Sequence, residues 1–381
     1  MKIMSVVGAR PNFMKIAPFI RALDTHRRQT PAACIEHLLV HTGQHYDERM
    51  SRSFFEDLQI PRPDIDLGVG SGSHAEQVGS TMIAFEKVVR EQRPDWVIVV
   101  GDVNATCACS ITAKKEHLKL AHIEAGLRSF DLDMPEEINR MVTDRLSDLL
   151  CTTDTIASQN LRHEGVPDER IKMVGNIMID TLEAQREKAA ALSIDEIIAA
   201  NRINQDSAVR KNTPYALITM HRPSNVDQIE VLAPILEFLL GEVCADTPLL
   251  WPIHPRTEKQ LKSCNLWAKA MSHPNCILLS PLGYRQMLRL NMDASLMLTD
   301  SGGLQEECCV LGTPCLTLRW NTERPVTLRE HGGAGVLVGN AVDSLRREYR
   351  QLRQQTRTPQ RPPLWDGHTA QRIVAELIQA G

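Results

Sequence analysis

Aromatic side chains are scarce in this 381-residue chain, Phe, Trp and Tyr together making up 4% of it. An excess of one charge is also missing, since 43 basic residues stand against 47 acidic ones. A surface with neither a basic stripe nor rings on which bases could stack is not equipped for nucleic acid, and none is expected as a partner. No stretch reaches the roughly 18 to 20 apolar residues of a membrane span. The apolar start, KIMSVVG at 2–8, is too short for a signal peptide and reads as a first strand. A cytoplasmic protein with no membrane partner is the expectation. The ten cysteines lack zinc-finger spacing, Cys107/Cys109 and the adjacent Cys308-Cys309 included, and read as reduced, buried thiols. A Walker loop and an HExxH helix are absent as well, so no metal site is expected.

What is present is a rhythm. Short runs rich in Val, Ile and Leu at 2–8, 35–43, 96–102, 119–126 and 149–153 are each followed by turn residues and a helical pattern. The rhythm restarts at 215–222, 249–255, 276–281, 295–301, 314–319 and 334–339. Alternating β and α elements call for a parallel sheet covered on both faces. The length exceeds one ordinary core, so the fold class expected is α/β, with two Rossmann-like domains facing across a cleft. The turn at Val174-Gly175-Asn176 sets the boundary: 1–175 forms the first domain and 176–363 the second. The amphipathic end of the chain, about 364–381, is expected to rejoin the first.

Ligands of open α/β sheets sit beyond the carboxyl ends of the strands, which makes the polar residues there the candidates. Asp300 to Glu307 (DSGGLQEE) joins a strand end, a tight turn and a helix start. Gly302 and Gly303 let the backbone approach an anion drawn to that helix N-terminus, and Glu306 or Glu307 can accept the hydroxyls of a ribose. Arg10 and Lys15, in GARPNFMK at 8–15, can face one anion. Asp102, Glu124 and Glu136 are three carboxylates at or just after strand ends, and proximity splits such groups into acid and base. Taken singly, each is also explained as a helix cap or a dipole partner. His221-Arg222 and His254 end successive strands of the second half, where imidazole and guanidinium suit an anion better than a metal.

Together these segments closely resemble the non-hydrolysing UDP-N-acetylglucosamine 2-epimerases, a family of glycosyltransferase-B architecture. The resemblance rests on GARPNFMKIAP at 8–18, GD at 101–102, HIEAGLRS at 122–129, PEEINR at 135–140, GNIMIDTL at 175–182, HRPSN at 221–225, DSGGLQEE at 300–307 and TERP at 322–325, in order along nearly the whole chain. It implies interconversion of UDP-GlcNAc and UDP-ManNAc, an isomerase reaction without metal or other cofactor. UDP leaves as the C2 proton is removed, then adds back while C2 is reprotonated on the opposite face. It further implies that Asp102, Glu124 and Glu136 are the acid/base carboxylates, with Arg140 supporting them and His221 assisting departure of the diphosphate. Arg10, Lys15, His254, Ser301, Gly302, Gly303, Arg319 and Glu307, or alternatively Glu306, are implied at the UDP. A homodimer is expected on the same ground.

Two departures qualify this. Where many bacterial members read HRRE, this chain has His221-Arg222-Pro223-Ser224, and where they read QHR it has Gln44-His45-Tyr46-Asp47. Both regions help form an activating UDP-sugar site in those members, so allosteric activation is in question here. The same changes admit a different sugar, such as a UDP-linked 2,3-diacetamido uronic acid. A hydrolysing relative releasing ManNAc and UDP shares the intermediate. A glycosyltransferase shares the fold, but transfer needs only one base. A non-catalytic nucleotide-sugar sensor would have no use for the three carboxylates.

Overall fold

Every run of Val, Ile and Leu singled out above forms a strand. In the computed structural model, which describes residues 1–31, 34–43, 62–204 and 213–381 apart from the side chains of 10 and 11, these strands build two parallel sheets. The first sheet holds β1 (Lys2–Val7), β2 (Glu36–His41), β3 (Ile65–Asp66), β4 (Trp96–Val100), β5 (Lys119–Ala125), β6 (Leu149–Thr152) and β7 (Ile171–Met173). The second holds β8 (Ala216–Thr219), β9 (Leu249–Pro252), β10 (Cys276–Leu279), β11 (Leu296–Thr299), β12 (Cys315–Thr317) and β13 (Gly335–Leu337). Strands β3 and β7 were not expected: Ile65-Asp66 and Ile171-Lys172-Met173 each carry a charged residue and present no apolar run.

Burial explains why these segments are strands. β4, β9 and β11 are buried along their whole length, as befits a sheet with helices on both faces. In the second sheet, Ile218, Trp251, Leu278, Leu298 and Leu316 pack on one side against Leu232 and Leu236. Their neighbours Leu217, Leu250, Ile277 and Met297 pack on the other against Ile197 and Ile198. Each large apolar side chain so buried contributes about 1.5–3 kcal/mol. Among the described residues no helix is long and apolar enough to cross a membrane.

The chain divides into one unit of Met1–Ala184 with Pro362–Gly381 and a second of Gln185–Arg361. The division falls inside the helix Ile177–Ala190 rather than at the turn expected at 175/176. The start of that helix is tied into the first unit. Thr181 Oγ1 donates to Met14 O at 2.6 Å, and the Asp180 carboxylate accepts the N–H groups of Thr369 (3.1 Å) and Ala370 (2.7 Å). Those two residues open the terminal helix Thr369–Ala380, which the bonds dock onto the first unit.

Strand order locates the sites. The first sheet runs β3-β2-β1-β4-β5-β6-β7 and the second β10-β9-β8-β11-β12-β13. Each begins in its middle, grows outward and then restarts on the other side of its first strand. The reversals lie between β1 and β4 and between β8 and β11, and at such switch points the connections part and leave a crevice at the carboxyl ends.

Candidate active site

At the first switch point, β1 ends in Gly8-Ala9 and β4 in Gly101-Asp102. Asn12, in the first turn of the helix Arg10–Gln29, accepts the Ala9 N–H at 2.9 Å and donates to Val100 O at 2.8 Å, pinning the two strand ends together. Lys15, one turn on, reaches Glu124 Oε2 at 2.5 Å, and both side chains are buried. Gly101 has φ +68°, and a Cβ there would sit 3.1 Å from Lys15 Nζ and 3.4 Å from Asn12 Nδ2. Glycine is required because the cluster closes around its bare backbone.

Glu124 itself has φ +71°, and the β5–β6 register shifts between Ile123 and Ala125 at that point. A glutamate in the left-handed region costs on the order of 1–3 kcal/mol, strain of a kind that gathers at functional sites. The bulge turns the carboxylate out of the strand's alternation. Its Oε1 is buried and has no hydrogen-bond partner among the described residues.

Asp102 pairs with Arg140 Nη1, and its side chain remains 25% exposed. It does not cap the following helix, Asn104–Lys115, whose N-cap is Val103 and carries no side-chain bond. Arg140 is buried and is held by Glu137 Oε2, at 3.0 Å from Nε and 2.5 Å from Nη2. Glu137 also accepts the N–H groups of Ser129 and Phe130. The two glutamates of PEEINR therefore part company: Glu137 is buried in this network, whereas Glu136, in the first turn of the helix Pro135–Leu146, is exposed.

Beneath these carboxylates lies a layer that sequence reasoning left unassigned. His122 Nδ1 is 2.6 Å from Asp144 Oδ1, and His122 Nε2 is 2.8 Å from Gly101 O. Asp144 also accepts from Arg128 Nη1 at 2.7 Å and from the Gly126 N–H at 3.0 Å. Burial opposes its ionisation, but His122 and Arg128 together outweigh that and hold the carboxyl below its usual range.

At the second switch point, Ser301 is the N-cap of the helix Gly302–Leu311, and its N–H donates to Thr299 Oγ1 at 3.0 Å. A Cβ on Gly302 would meet Arg324 Nη1 and Glu323 Oε1, each at 2.9 Å, whereas the space around Gly303 is open. Arg319 is buried, with Nη2 on Glu323 Oε2 at 2.7 Å and Nη1 without a partner among the described residues. Glu306 is taken up by Arg324 Nε at 2.6 Å. Burial pushes the Glu307 carboxyl up to about 7, against hydrogen bonding from Tyr284 and Asn291 and helped by Glu306. His221 and His254 stack with ring centroids 5.2 Å apart. Burial, then His221, hold the His254 imidazole below its usual range, and its Nδ1 accepts the Arg256 N–H at 3.1 Å.

The structure thus brings Lys15 to Glu124 and Arg140 to Asp102 in the first unit, and in the second places His221, His254, Ser301, Gly302, Gly303 and Arg319 just beyond the carboxyl ends of β8, β9, β11 and β12. The Arg10 side chain and residues 44–47 lie outside the described residues.

Residues 28–378 match the family model described as UDP-N-acetylglucosamine 2-epimerase. The chain belongs to the UDP-N-acetylglucosamine 2-epimerase family. The Methanocaldococcus jannaschii UDP-N-acetylglucosamine 2-epimerase is 40% identical over 99% of each chain. The crystal structure of that organism's enzyme with UDP-GlcNAc and UDP superposes with a TM-score of 0.87, at 39% identity and full coverage of both chains. The Neisseria meningitidis epimerase bound to UDP-GlcNAc gives 0.85 at 28% identity, again over both whole chains. A Pseudomonas aeruginosa UDP-2,3-diacetamido-2,3-dideoxy-D-glucuronate 2-epimerase is 37% identical over 91% of this chain and 90% of its own. The two parallel α/β units accordingly have the glycosyltransferase-B-like fold of the epimerase family, and the chain is an enzyme of the isomerase class.

Sequence reasoning passed over Asn12, His122, Glu137, Asp144 and Asp300. All lie inside or beside the motifs quoted for the family, but as packing partners of the assigned residues they carry no spacing signal of their own.

Proposed function

We propose that this protein is a non-hydrolysing epimerase interconverting UDP-GlcNAc and UDP-ManNAc. A carboxylate takes the C2 proton, the C1–O bond breaks, and UDP departs with the bonding pair, leaving a 2-acetamidoglucal. UDP then adds back at C1 while an acid on the other face protonates C2. The observation that carries this reading is Glu124, a strained, buried carboxylate with one oxygen unpartnered among the described residues, one strand away from Asp102. Two carboxylates, each with its own cation, meet the need for one acid and one base. Asp102, Glu124 and Glu136 serve as the acid/base set, with Arg140 fixing Asp102 and Lys15 fixing Glu124.

His221, His254, Ser301, Gly302, Gly303 and Arg319 form the diphosphate end in the second unit and stabilise the charge that develops as UDP leaves, and Arg10 keeps the UDP role that its motif implies. Glu307 takes the ribose in preference to Glu306, whose Oε1 is engaged by Arg324. A homodimer and a cytoplasmic location belong to the same reading. Ile83, Ile138 and Met141 are exposed apolar side chains on helices of the first unit, and all ten cysteines are free thiols.

Purified protein incubated with UDP-GlcNAc in heavy water, without added metal, is expected to form the manno epimer deuterated at C2, seen by proton NMR. Free ManNAc with stoichiometric UDP points to the hydrolysing reaction instead. Inertness toward UDP-GlcNAc with turnover of a UDP-diacetamido uronate moves the substrate to that of the Pseudomonas relative.

A further inference from the structure

Asp300 ends β11 and is completely buried, yet nothing so far gives it a role. Its Oδ2 accepts three donors: the N–H groups of His221 (2.9 Å) and Arg222 (2.8 Å) and Asn225 Nδ2 (3.1 Å). Its Oδ1 lies 3.0 Å from His221 Nδ1, close enough for an ion pair but not aligned as a hydrogen bond, and has no hydrogen-bond partner among the described residues. The imidazole so held is 41% exposed, against 0% for the carboxylate. One ring nitrogen thus faces a buried anion and the other looks outward from the switch point.

A buried carboxylate oxygen without a partner calls for a donor, and the His221 ring nitrogen 3.0 Å away is placed to supply one by a small rotation of the ring. We infer that Asp300 is the positioning residue of His221, fixing its proton on Nδ1 so that Nε2 is the nitrogen presented to the leaving diphosphate. The inference rests on the functional reading above, which puts His221 at that diphosphate.

In the neutral ring, Nδ1–H is then on the side of Asp300 and Nε2 is left to take a proton. In the imidazolium, Nε2–H donates to the β-phosphate oxygen as the C1–O bond breaks, and that oxygen returns the interaction when UDP adds back. The same logic governs any histidine oriented by a buried acid: the acid selects the tautomer and stays ionised itself. Consistent with this, His221 and the backbone N–H groups hold the Asp300 carboxyl below its usual range although burial works against ionisation. The other charged or titratable groups facing the ring are His254, stacked at 5.2 Å, and Arg222, whose Nε donates to Asp300 O at 2.9 Å. Arginine has only donors, and His254 Nδ1 already accepts the Arg256 N–H at 3.1 Å, so Asp300 is the acceptor placed beside Nδ1.

The test is nitrogen-15 NMR of the imidazoles, with the His221 signals identified by their loss in His221→Gln, together with the pH profile of Asp300→Asn. At a pH where the ring is neutral, wild-type His221 is expected as the Nδ1–H tautomer. In Asp300→Asn the amide can keep accepting the three donors with its oxygen while its NH2 faces Nδ1, so the ring is expected to invert to Nε2–H. The kcat is then expected to fall by roughly 10²- to 10⁴-fold, with KM within about threefold and the alkaline limb of the profile moved to lower pH. A wild-type ring in the Nε2–H form overturns the inference outright, and does so even if Asp300→Asn fails to fold. An Asp300→Asn enzyme with unchanged tautomer and unchanged profile overturns it too. Because the spectra need no turnover, failure of the epimerase reading is a separate result.

Discussion

Two residue types stand together at the carboxyl ends of β4 and β5: carboxylates that are strained or paired, and the cations beside them. Glu124 combines φ +71° with a buried oxygen that has no partner among the described residues. A strained position of that kind persists only where surrounding bonds over-determine it, and here the Lys15 contact and the β-bulge do so. Asp102→Asn and Glu124→Gln are each expected to lower kcat by about 10²- to 10⁴-fold, the usual weight of a positioned acid or base, while UDP binding by calorimetry stays within a few-fold. Unchanged turnover in either variant removes that residue from the acid/base set. Glu137 acts differently, since its removal leaves the buried Arg140 guanidinium short of its main anion. Glu137→Ala should cost about 3–5 kcal/mol in urea unfolding, with Glu137→Gln milder.

Glu307 adds a pH dependence at the same scale. Its carboxyl is raised to about 7 in the folded protein, so between its ordinary value and 7 the folded chain holds a proton that the unfolded chain has released. Stability from this group is therefore highest at low pH and declines as pH rises toward 7. A ribose donating two hydroxyls favours the ionised form, so nucleotide binding must expel that proton below pH 7. UDP affinity is expected to rise roughly tenfold from pH 6 to pH 8 and to level off above it, with proton release visible in calorimetry across buffers of different ionisation enthalpy. An affinity flat over that range in wild type, or one whose rise survives Glu307→Gln, contradicts the assignment.

At the scale of elements, the terminal helix Thr369–Ala380 depends on Asp180, whose carboxylate accepts the first two N–H groups of that helix. Asp180→Ala leaves those donors empty and should cost about 1–2 kcal/mol. Faster hydrogen exchange confined at first to residues 366–381 is the expected signature, and exchange no faster than in wild type would show that the helix is docked by its apolar face alone. The strands themselves were legible because parallel strands buried on both faces read as continuous apolar runs. β3 and β7 were not, since a charged residue interrupts each of them, whereas β12 and β13, no longer than β7, lie in unbroken runs. The domain boundary was misjudged for a related reason: Val174-Gly175-Asn176 does form a turn, but what assigns the following helix to the first unit is Asp180 and Thr181 bonding to residues distant in sequence. Among the candidate residues, the strand-end positions of Asp102, Glu124, His221 and Ser301 were readable in the sequence. The split between Glu136 and Glu137 was not, because only packing against Ser129 and Arg140 distinguishes two adjacent acids at a helix start.

At the scale of the molecule, each unit repeats one device: a parallel sheet that reverses its growth beside its first strand and carries polar side chains at the reversal. In the first unit the device gathers carboxylates, and in the second it gathers imidazoles, a guanidinium and a helix N-terminus. That division matches a reaction with two needs, proton traffic at C2 and a place to hold an expelled diphosphate. The central claim is that the C1–O bond breaks and re-forms during epimerisation. It is tested most directly with UDP-GlcNAc carrying oxygen-18 in the bridge between C1 and the β-phosphorus, followed by phosphorus-31 NMR as the epimer accumulates. Breakage lets the β-phosphate of bound UDP rotate, so the label is expected to move into non-bridging positions of recovered UDP-GlcNAc and UDP-ManNAc. Epimer formed with all the oxygen-18 still in the bridge would contradict the account.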